Sequence, residues 1–168
     1  MNTERAVRDE VLTVRDAVVD LLTRNNYVVQ QNVEGVTHEK ALELIGPGGS
    51  NLNWLLGHMT ASRDVCTRLL EAEPAWDKDR GRLYGRGTAS IKPENATRLE
   101  ELISAHAEAG KRLSEALMAA GTESLTRPNP RNAGESVMDA IWFLVWHDTY
   151  HTGQTALYRR LAGLDGVF

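Results

Sequence analysis

Apolar residues recur along this chain with the period of an α-helix, and this period restricts the fold more than any other feature of the sequence. Near the N-terminus they follow one another at spacings of four, three, four and three: Val7, Val11, Val14, Val18 and Leu21. Such spacing puts one apolar stripe on a helix predicted from about Thr3 to Arg24. We find no segment with the strict alternation of a half-buried strand. The chain is therefore predicted to be all-α.

Three further segments show helical periodicity, and turn-rich stretches separate them. The second helix is predicted over about 50–71, the third over about 93–120 with Pro93 in its first turn, and the fourth over about 134–162 with Gly163 as its C-cap. A short helix is predicted in THEKALELI, and long loops over 72–92 and in TRPNPRNAG. Four long amphipathic helices in 168 residues predict a four-helix bundle that occupies residues 1–168 as a single domain.

Charge and apolar content argue against several classes of function. The chain has 19 Lys and Arg against 23 Asp and Glu, a net charge of −4, and its basic residues are scattered, which argues against nucleic-acid and membrane partners. The longest apolar run, AIWFLVW, is far shorter than the roughly 20 residues of a spanning helix. The N-terminus lacks the apolar core of a secretory signal, and a single cysteine, Cys66, excludes an intrachain disulfide. We expect a soluble, cytoplasmic protein.

The segment WFLVWHDTYHTGQ places His147 and His151 four residues apart on the predicted fourth helix. Positions i and i+4 lie about 40° apart and roughly 6 Å along the axis, so both imidazoles can reach one point. The pair shares the apolar face of the helix, where burying two imidazoles is costly unless each has a partner. A divalent ion bound between them would be a partner for both imidazoles. A hydrogen-bonded core pair or two surface residues are the alternatives.

A third ligand candidate, His58, lies on the predicted second helix in NLNWLLGHMTASRD. When heights along the helices are counted from their predicted ends, His58 lies level with the His147 and His151 pair only if helices two and four run antiparallel. An up-down-down-up bundle satisfies this condition, and it needs a long crossover between helices two and three, where the 72–92 loop lies. His106 is predicted to be a core residue of helix three, and His38 to be solvated.

The segments NLNWLLGHMTASRD and VWHDTYHTGQTALYRRLAG resemble the DinB-like (YfiT-type) superfamily. The motif residues are Leu56, Gly57, His58, His147, His151, Gly153 and Gln154. This resemblance implies an up-down-down-up four-helix bundle in which His58, His147 and His151 bind nickel, zinc or another divalent ion. It also implies a homodimer and, in the members whose activity is characterised, transfer or isomerisation reactions that use low-molecular-weight thiols.

Three imidazole ligands leave coordination positions open, which is typical of a catalytic rather than a closed structural metal site. An ion there could lower the pKa of a thiol or activate water, and the site residues do not choose between the two. The resemblance favours the thiol, so the predicted function is a metal-dependent, low-molecular-weight-thiol S-transferase. The predicted cofactor is nickel or zinc, with iron as a further candidate, and the predicted partners are a small thiol and an electrophile. A metal-dependent hydrolase and a non-catalytic metal-binding or structural bundle are the alternatives.

Several neighbours of the histidines are candidates for binding substrate or orienting a ligand, although each could equally be a packing residue: Trp54, Ser62, Tyr150 and Gln154. Asp148 is expected to be solvated or to form an interhelical salt bridge, and Cys66 to be a small buried apolar group. The stretch RGRLYGRG could collect an anionic substrate through Arg82 and Arg86, although a solvated loop is the simpler interpretation. No catalytic residue is assigned.

Overall fold

The computed structural model describes residues 3–88 and 90–167, and helices dominate it. The four long helices are α1 (Thr3–Val33), α3 (Leu52–Leu69), α5 (Leu99–Ala119) and α7 (Val137–Leu161). The short elements are α2 (His38–Ala41), α4 (Lys78–Leu83), a 3₁₀ turn (Pro93–Asn95), α6 (Thr122–Thr126), β1 (Pro128–Asn129) and β2 (Asn132–Ser136). The all-α prediction is confirmed. Among the described residues, no helix combines the length and apolar character of a membrane span.

Helices α1 and α7 run parallel, as the order of their cross-helix hydrogen bonds shows. The Asn25 side-chain amide donates to Asp148 at 2.9 Å, and seven residues later the Asn32 amide donates to Thr155 Oγ1 at 2.9 Å. Residue numbers therefore increase together along the two helices. The first helix was predicted to end too early because Asn25 and Asn32 interrupt its apolar repeat. They do not end the helix itself.

Helix α3 runs antiparallel to α7. Ser50, just before α3, contacts the Tyr158 hydroxyl at 2.8 Å, whereas Arg63 further along α3 pairs with Asp148, which lies earlier on α7. Residue numbers rise on one helix as they fall on the other. Their antiparallel packing is the arrangement that a shared histidine site requires.

Helix α5 runs parallel to α3, which makes the bundle up-down-down-up. The Asn53 side chain donates to the carbonyl of Thr97, just before α5, and Arg63 donates to the carbonyl of His106 at 2.9 Å. Two consecutive parallel helices need a connection as long as the bundle. The segment 70–98 is that crossover.

The crossover is more ordered than the predicted loop. It contains α4, whose N-cap Asp77 accepts a hydrogen bond from the Arg80 amide, and it buries Trp76 and Tyr84 against the bundle. The predicted start of the third helix at Pro93 is wrong, because Pro93 lies in a separate 3₁₀ turn and α5 begins at Leu99. Residues between them stay extended since Asn53 and Tyr84 bond the backbone of Thr97.

The prediction for the region before α7 is also wrong. TRPNPRNAG was predicted to be a loop and the fourth helix to begin near 134, but β1 and β2 form a small antiparallel hairpin and α7 begins at Val137. The hairpin residues are mostly polar, so no apolar alternation marks them. The Asn129 amide bonds Glu135 across the hairpin at 2.6 Å, and Ser136 caps α7 through a capping box with Asp139.

The core consists of two apolar clusters separated by a polar layer. On α3, the cluster near the N-terminus contains Leu55 and Met59 and the other contains Cys66 and Leu69, with Arg63 between them. The other long helices repeat this order, with Asn25 on α1, His106 on α5 and Asp148 on α7 at the same level. Cys66 is buried, as predicted. The polar layer lies beside the candidate site.

Candidate metal centre

The three histidines predicted to act together lie side by side between α3 and α7. The Nε2 atoms of His147 and His151 are 3.0 Å apart, and the His58 ring centroid lies 5.3 Å from that of His147 and 5.2 Å from that of His151. One ligand nitrogen from each ring lies within 4.8 Å of the others. His58 and His151 are buried, at 7% and 9% exposure, and His147 is half-buried. One turn of α7 and the facing position on α3 thus produce the cluster.

Hydrogen bonds on the outer side hold two of these rings. His58 Nδ1 lies 2.8 Å from the Tyr84 carbonyl oxygen, and because a carbonyl only accepts, Nδ1 carries the proton and Nε2 has a free lone pair. His151 Nδ1 lies 2.7 Å from Gln154 Oε1, which fixes the same tautomer. This pattern, in which the outer nitrogen donates and the inner one is free, is typical of metal-ligating histidines.

The arrangement fits a divalent ion. Nitrogen ligands about 2.0–2.1 Å from an ion lie roughly 2.9 Å apart at right angles and about 3.3 Å apart in a tetrahedron, which brackets the contact between His147 and His151. Two lone-pair nitrogens so close repel each other unless a proton or a cation lies between them. The buried Nδ1 of His147 has no hydrogen-bond partner among the described residues, so neighbouring protein groups do not fix its tautomer.

Burial sets the protonation of the cluster. Desolvation, followed by the neighbouring His151 and His58, lowers the pKa of His147 to about 4. Desolvation also lowers the pKa of His58, against the hydrogen bond to Tyr84, which raises it. His58 and His147 are therefore neutral at pH 7 and can bind a cation without first releasing a proton.

The four predicted neighbours differ in what they contact. Trp54 stacks on the His58 ring, with centroids 4.7 Å apart and planes 7° apart, and its indole nitrogen donates to Thr88. Gln154 accepts from His151. Tyr150 is 58% exposed and touches the His151 ring edge-on at 5.3 Å. Ser62 donates to the His58 carbonyl rather than to a ring, and it lines the cavity described below.

Asp148 forms the interhelical salt bridge that was one of its two expected roles. Arg63 donates to both Asp148 carboxylate oxygens, from Nε at 3.0 Å and from Nη2 at 2.8 Å, and both side chains are 1% exposed. Arg63 also donates to Asn26 on α1 and to the His106 carbonyl on α5. One guanidinium thus links all four long helices and fixes the register of α7, which carries His147 and His151, against α3.

A cavity of about 730 Å³ opens beside the cluster. His58 and His147 form one part of its wall, and the rest comes from α3, the crossover, the β-hairpin and α7. His106 does not line this cavity and is a core residue, as predicted. His38, predicted to be solvated, is half-buried instead, and its buried Nδ1 has no partner among the described residues.

Sequence reasoning missed two contributors to the site. Gly57 lies inside α3, and a Cβ there would lie 2.1 Å from the Tyr84 ring, so glycine allows Tyr84 to reach the helix and its carbonyl to bond His58. A glycine inside a helical pattern is the signal that could have indicated this close approach. No local pattern indicated the pairing of Arg63 with Asp148, because 85 residues separate them in the chain.

Comparison with known proteins agrees with the fold. The profile of the DinB superfamily matches residues 7–155. No curated protein matches the chain. The crystal structure of a conserved protein from Enterococcus faecalis is similar, with a TM-score of 0.70 and 16% sequence identity over 88% of this chain and 95% of that one. At this identity the likeness shows a shared fold and nothing about activity.

Proposed function

We propose that this chain, which belongs to the DinB superfamily, is a metal-dependent enzyme in which His58, His147 and His151 hold one divalent ion. The observation that carries the proposal is the convergence of three imidazole nitrogens within 4.8 Å at the wall of an open cavity. The ligand set suits nickel or zinc, and also iron. The cavity leaves one side of the cluster accessible to a small molecule, as a catalytic site requires.

The reaction proposed is transfer of a low-molecular-weight thiol to an electrophile. A bound divalent ion would supply the positive charge that lowers the pKa of a coordinating thiol. The thiol proton passes to solvent, sulfur bonds to an electrophilic carbon, and the leaving group departs with its bonding electrons. The thiol must come from a small molecule, because Cys66 is buried and burial raises the pKa of its thiol.

The lining of the cavity favours thiol transfer over hydrolysis. Hydrolytic sites of the His-Glu-x-x-His type use a carboxylate beside the metal as general base. Asp148, the corresponding acid here, is buried in the pair with Arg63. Among the described residues that line the cavity, none is Asp or Glu. A thiol needs less help from a base, since coordination itself favours the thiolate.

The test of the metal site is elemental analysis of the untagged full-length chain after incubation with zinc and with nickel. We expect about one ion per chain in the wild type, as one three-ligand site predicts, and loss of this ion in both His58→Ala and His147→Ala. His38→Ala is the matched control, because it removes a histidine outside the cluster. A wild-type chain that stays metal-free, or retention of the ion in both site variants, would contradict the proposal.

The test of the reaction class uses the cobalt-substituted chain, because a thiol that coordinates cobalt gives a charge-transfer absorption band. We expect 2-mercaptoethanol to produce this band in the wild type and the His38→Ala chain but not in His147→Ala. Thiol-dependent consumption of 1-chloro-2,4-dinitrobenzene would then show transfer. A chain that binds metal but gives no thiol band would contradict the transferase and leave the hydrolase or a structural metal site.

We also propose that the enzyme is a homodimer formed through the outer face of α7. This face carries large apolar side chains, each 46–58% exposed and all within about 100° of the helix circumference: Trp142, Phe143, Trp146, Tyr150, Leu157 and Leu161. The opposite face of α7 is buried in the bundle, so covering the outer face as well would bury the helix on both sides. Charged residues in this arc lie only near the helix ends, Asp139 and Arg160. The part from Trp142 to Leu157 has no charge, so an identical stripe matches it, as two-fold pairing requires.

A further inference from the structure

The cavity beside the histidines has a one-sided charge. Its charged lining residues, apart from the histidines, are all basic: Arg68, Lys78, Arg82, Arg86 and Arg131. The chain as a whole has more acidic than basic residues, 23 against 19. The positive lining is therefore a local feature. In a concave site with partly apolar walls, charges of one sign focus the field and raise the local concentration of the opposite ion.

Three of these cations have no partner in the described part of the chain. Lys78, Arg86 and Arg131 are exposed, and their side chains make no ion pair or hydrogen bond there. The other two are engaged, since Arg68 donates to the Trp76 carbonyl and Arg82 pairs with Asp79. The three come from separate places, namely α4, the segment after it and the β-hairpin. Because they are free and converge on one cavity, they are available to a ligand.

The remaining walls indicate the size and polarity of that ligand. Val65 and Leu144 are half-buried apolar side chains that line the same cavity, and the exposed Phe143 lines it as well. Arg86 lines this cavity together with His58 and His147. A molecule held by the cations would therefore lie against an apolar wall and next to the histidines. About 730 Å³ is within the usual range for a small organic ligand.

We infer that the substrate of this site is a small organic anion, whose carboxylate or phosphate group is bound by Lys78, Arg86 and Arg131 and whose apolar part packs on Val65 and Leu144. As a statement about the substrate, this rests on the proposed function. The cation cluster and the cavity are independent of the metal. Guanidinium and ammonium groups bind both anions through charge-assisted hydrogen bonds.

The test is a titration of the isotope-labelled full-length chain, followed by amide chemical shifts in nuclear magnetic resonance spectra. The probes are phenyl phosphate, phenylacetate and, as a neutral comparison, benzyl alcohol. Each titration is run on the zinc-loaded chain and on the chain after metal removal. The variant is K78Q/R86Q/R131Q, accompanied by the three single substitutions. The matched control is R8Q/K92Q/R160Q, which removes the same charges from exposed positions outside the cavity.

In the wild type we expect at least one anionic probe to shift the amides of Gly81, Gly85 and Ala61 and to bind about tenfold or more tightly than benzyl alcohol. The triple variant should weaken anion binding by about tenfold or more while the control variant stays close to wild type. A preference for phenyl phosphate or for phenylacetate would identify the anionic group. Higher salt should weaken binding in the wild type and have little effect in the triple variant.

Three results would overturn the inference: equal binding of the charged and neutral probes, shifts confined to the outer face of α7, or wild-type affinity in the triple variant. Because the metal-free chain is titrated as well, failure of the metal site does not affect this result. A chain that binds the anion but no metal would keep the inference about the cavity and contradict the proposed enzyme. A chain that binds metal but does not prefer anions would keep the proposed metal site and contradict the inference about the cavity.

Discussion

His106 lies at the centre of the bundle with 2% of its surface exposed, and its Nε2 atom has no hydrogen-bond partner among the described residues. Burial and, to a smaller extent, the charge of Arg63 lower the pKa of its imidazole to about 3, although the charge of Asp148 raises it. The side chain is therefore neutral in the folded protein at every pH above this value. In the unfolded chain its pKa returns to its ordinary value near 6.5.

This difference predicts acid destabilisation that is specific to one residue. Below its unfolded pKa the unfolded chain binds a proton at His106 that the folded chain does not, so the free energy of unfolding falls as the pH falls. The loss should reach about 3 kcal/mol near pH 4. Urea unfolding with a chelator present, from about pH 7 to pH 4, should show a shallower pH dependence in His106→Gln than in the wild type.

Asp148 contributes in the same direction. Burial raises its pKa, but the charge and hydrogen bonds of Arg63, with His106 and Asn25, lower it overall, and its stabilisation is lost as the pH falls through the folded value. It is present in both chains, so the difference between wild type and His106→Gln isolates the histidine. Parallel pH profiles for the two chains would show that His106 does not remain neutral in the folded state.

At the scale of elements, the crossover depends on a close approach to α3. The Tyr84 ring is fully buried against Gly57, and its hydroxyl donates to Thr97 just before α5. One aromatic residue therefore connects α3, the crossover and the entry to α5. Its carbonyl also holds His58. The packing of the crossover and the orientation of a candidate ligand consequently depend on the same contact.

We predict that Gly57→Ala weakens both the packing of the crossover and the binding of a metal ion by His58. The added Cβ would lie 2.1 Å from the buried ring, so Tyr84 must move, at a cost of about 1–3 kcal/mol that exceeds the gain of up to about 1 kcal/mol in helix propensity. Loss of the His58 hydrogen bond should reduce metal affinity by about 10- to 100-fold. Urea unfolding and competition with a chelator measure the two effects.

Gly153→Ala is the control for this prediction, because it changes a helical glycine of α7 that has no heavy atom within 4 Å of the added Cβ. It should leave stability unchanged or raise it by up to about 1 kcal/mol. If Gly57→Ala behaved like this control in both measurements, Tyr84 would not be held by the close approach to α3.

At the scale of the molecule, the polar layer fixes how four helices align. Arg63 and Asp148 are each 1% exposed, and their neighbours Asn25, Asn26 and His106 satisfy further donors and acceptors. A buried pair of this kind contributes little over an apolar pair, but removing one partner leaves an uncompensated buried charge. The layer therefore acts mainly on alignment: a shift of one helix would separate the pair and also the histidines one turn away.

A double-mutant cycle tests this interpretation. Arg63→Met and Asp148→Asn should each lower the free energy of unfolding by about 3–5 kcal/mol, and the double variant should be less destabilised than the sum of the two by about 1–3 kcal/mol. Urea unfolding measures all four corners. Additive effects would mean that the two side chains are not coupled, despite their contacts at 2.8 and 3.0 Å.

The outer face of α7 gives the second prediction at this scale. Trp146 is 56% exposed at the middle of the stripe, so a charge there would have to be buried in the proposed dimer. We expect light scattering to show a dimer for the wild type and a monomer for Trp146→Glu. Met118→Glu is the control, because Met118 is equally exposed on α5, outside the stripe. A monomeric wild type, or a dimer that survives Trp146→Glu, would contradict the proposed interface.

The sequence by itself determined the helical class, the approximate places of the four long helices and the grouping of His58, His147 and His151. Helical periodicity is local, because side chains three and four residues apart share a face whatever the rest of the chain does. The pair on α7 follows from this rule alone. The third histidine was a hypothesis that required helices two and four to be antiparallel. The length of the crossover was consistent with this requirement, and the family resemblance implied the up-down-down-up order.

Only the tertiary structure decided the remaining features. The bonds from Tyr84 to His58 and from Arg63 to Asp148 join residues 26 and 85 positions apart, so no local pattern encodes them. The start of α5 could not be predicted for the same reason, because residues distant in the sequence, Asn53 and Tyr84, bond the backbone of Thr97 just before the helix. The cation cluster gathers side chains from α4, the segment that follows it and the β-hairpin. Charge and hydrogen bonding act through space, and the fold sets those distances.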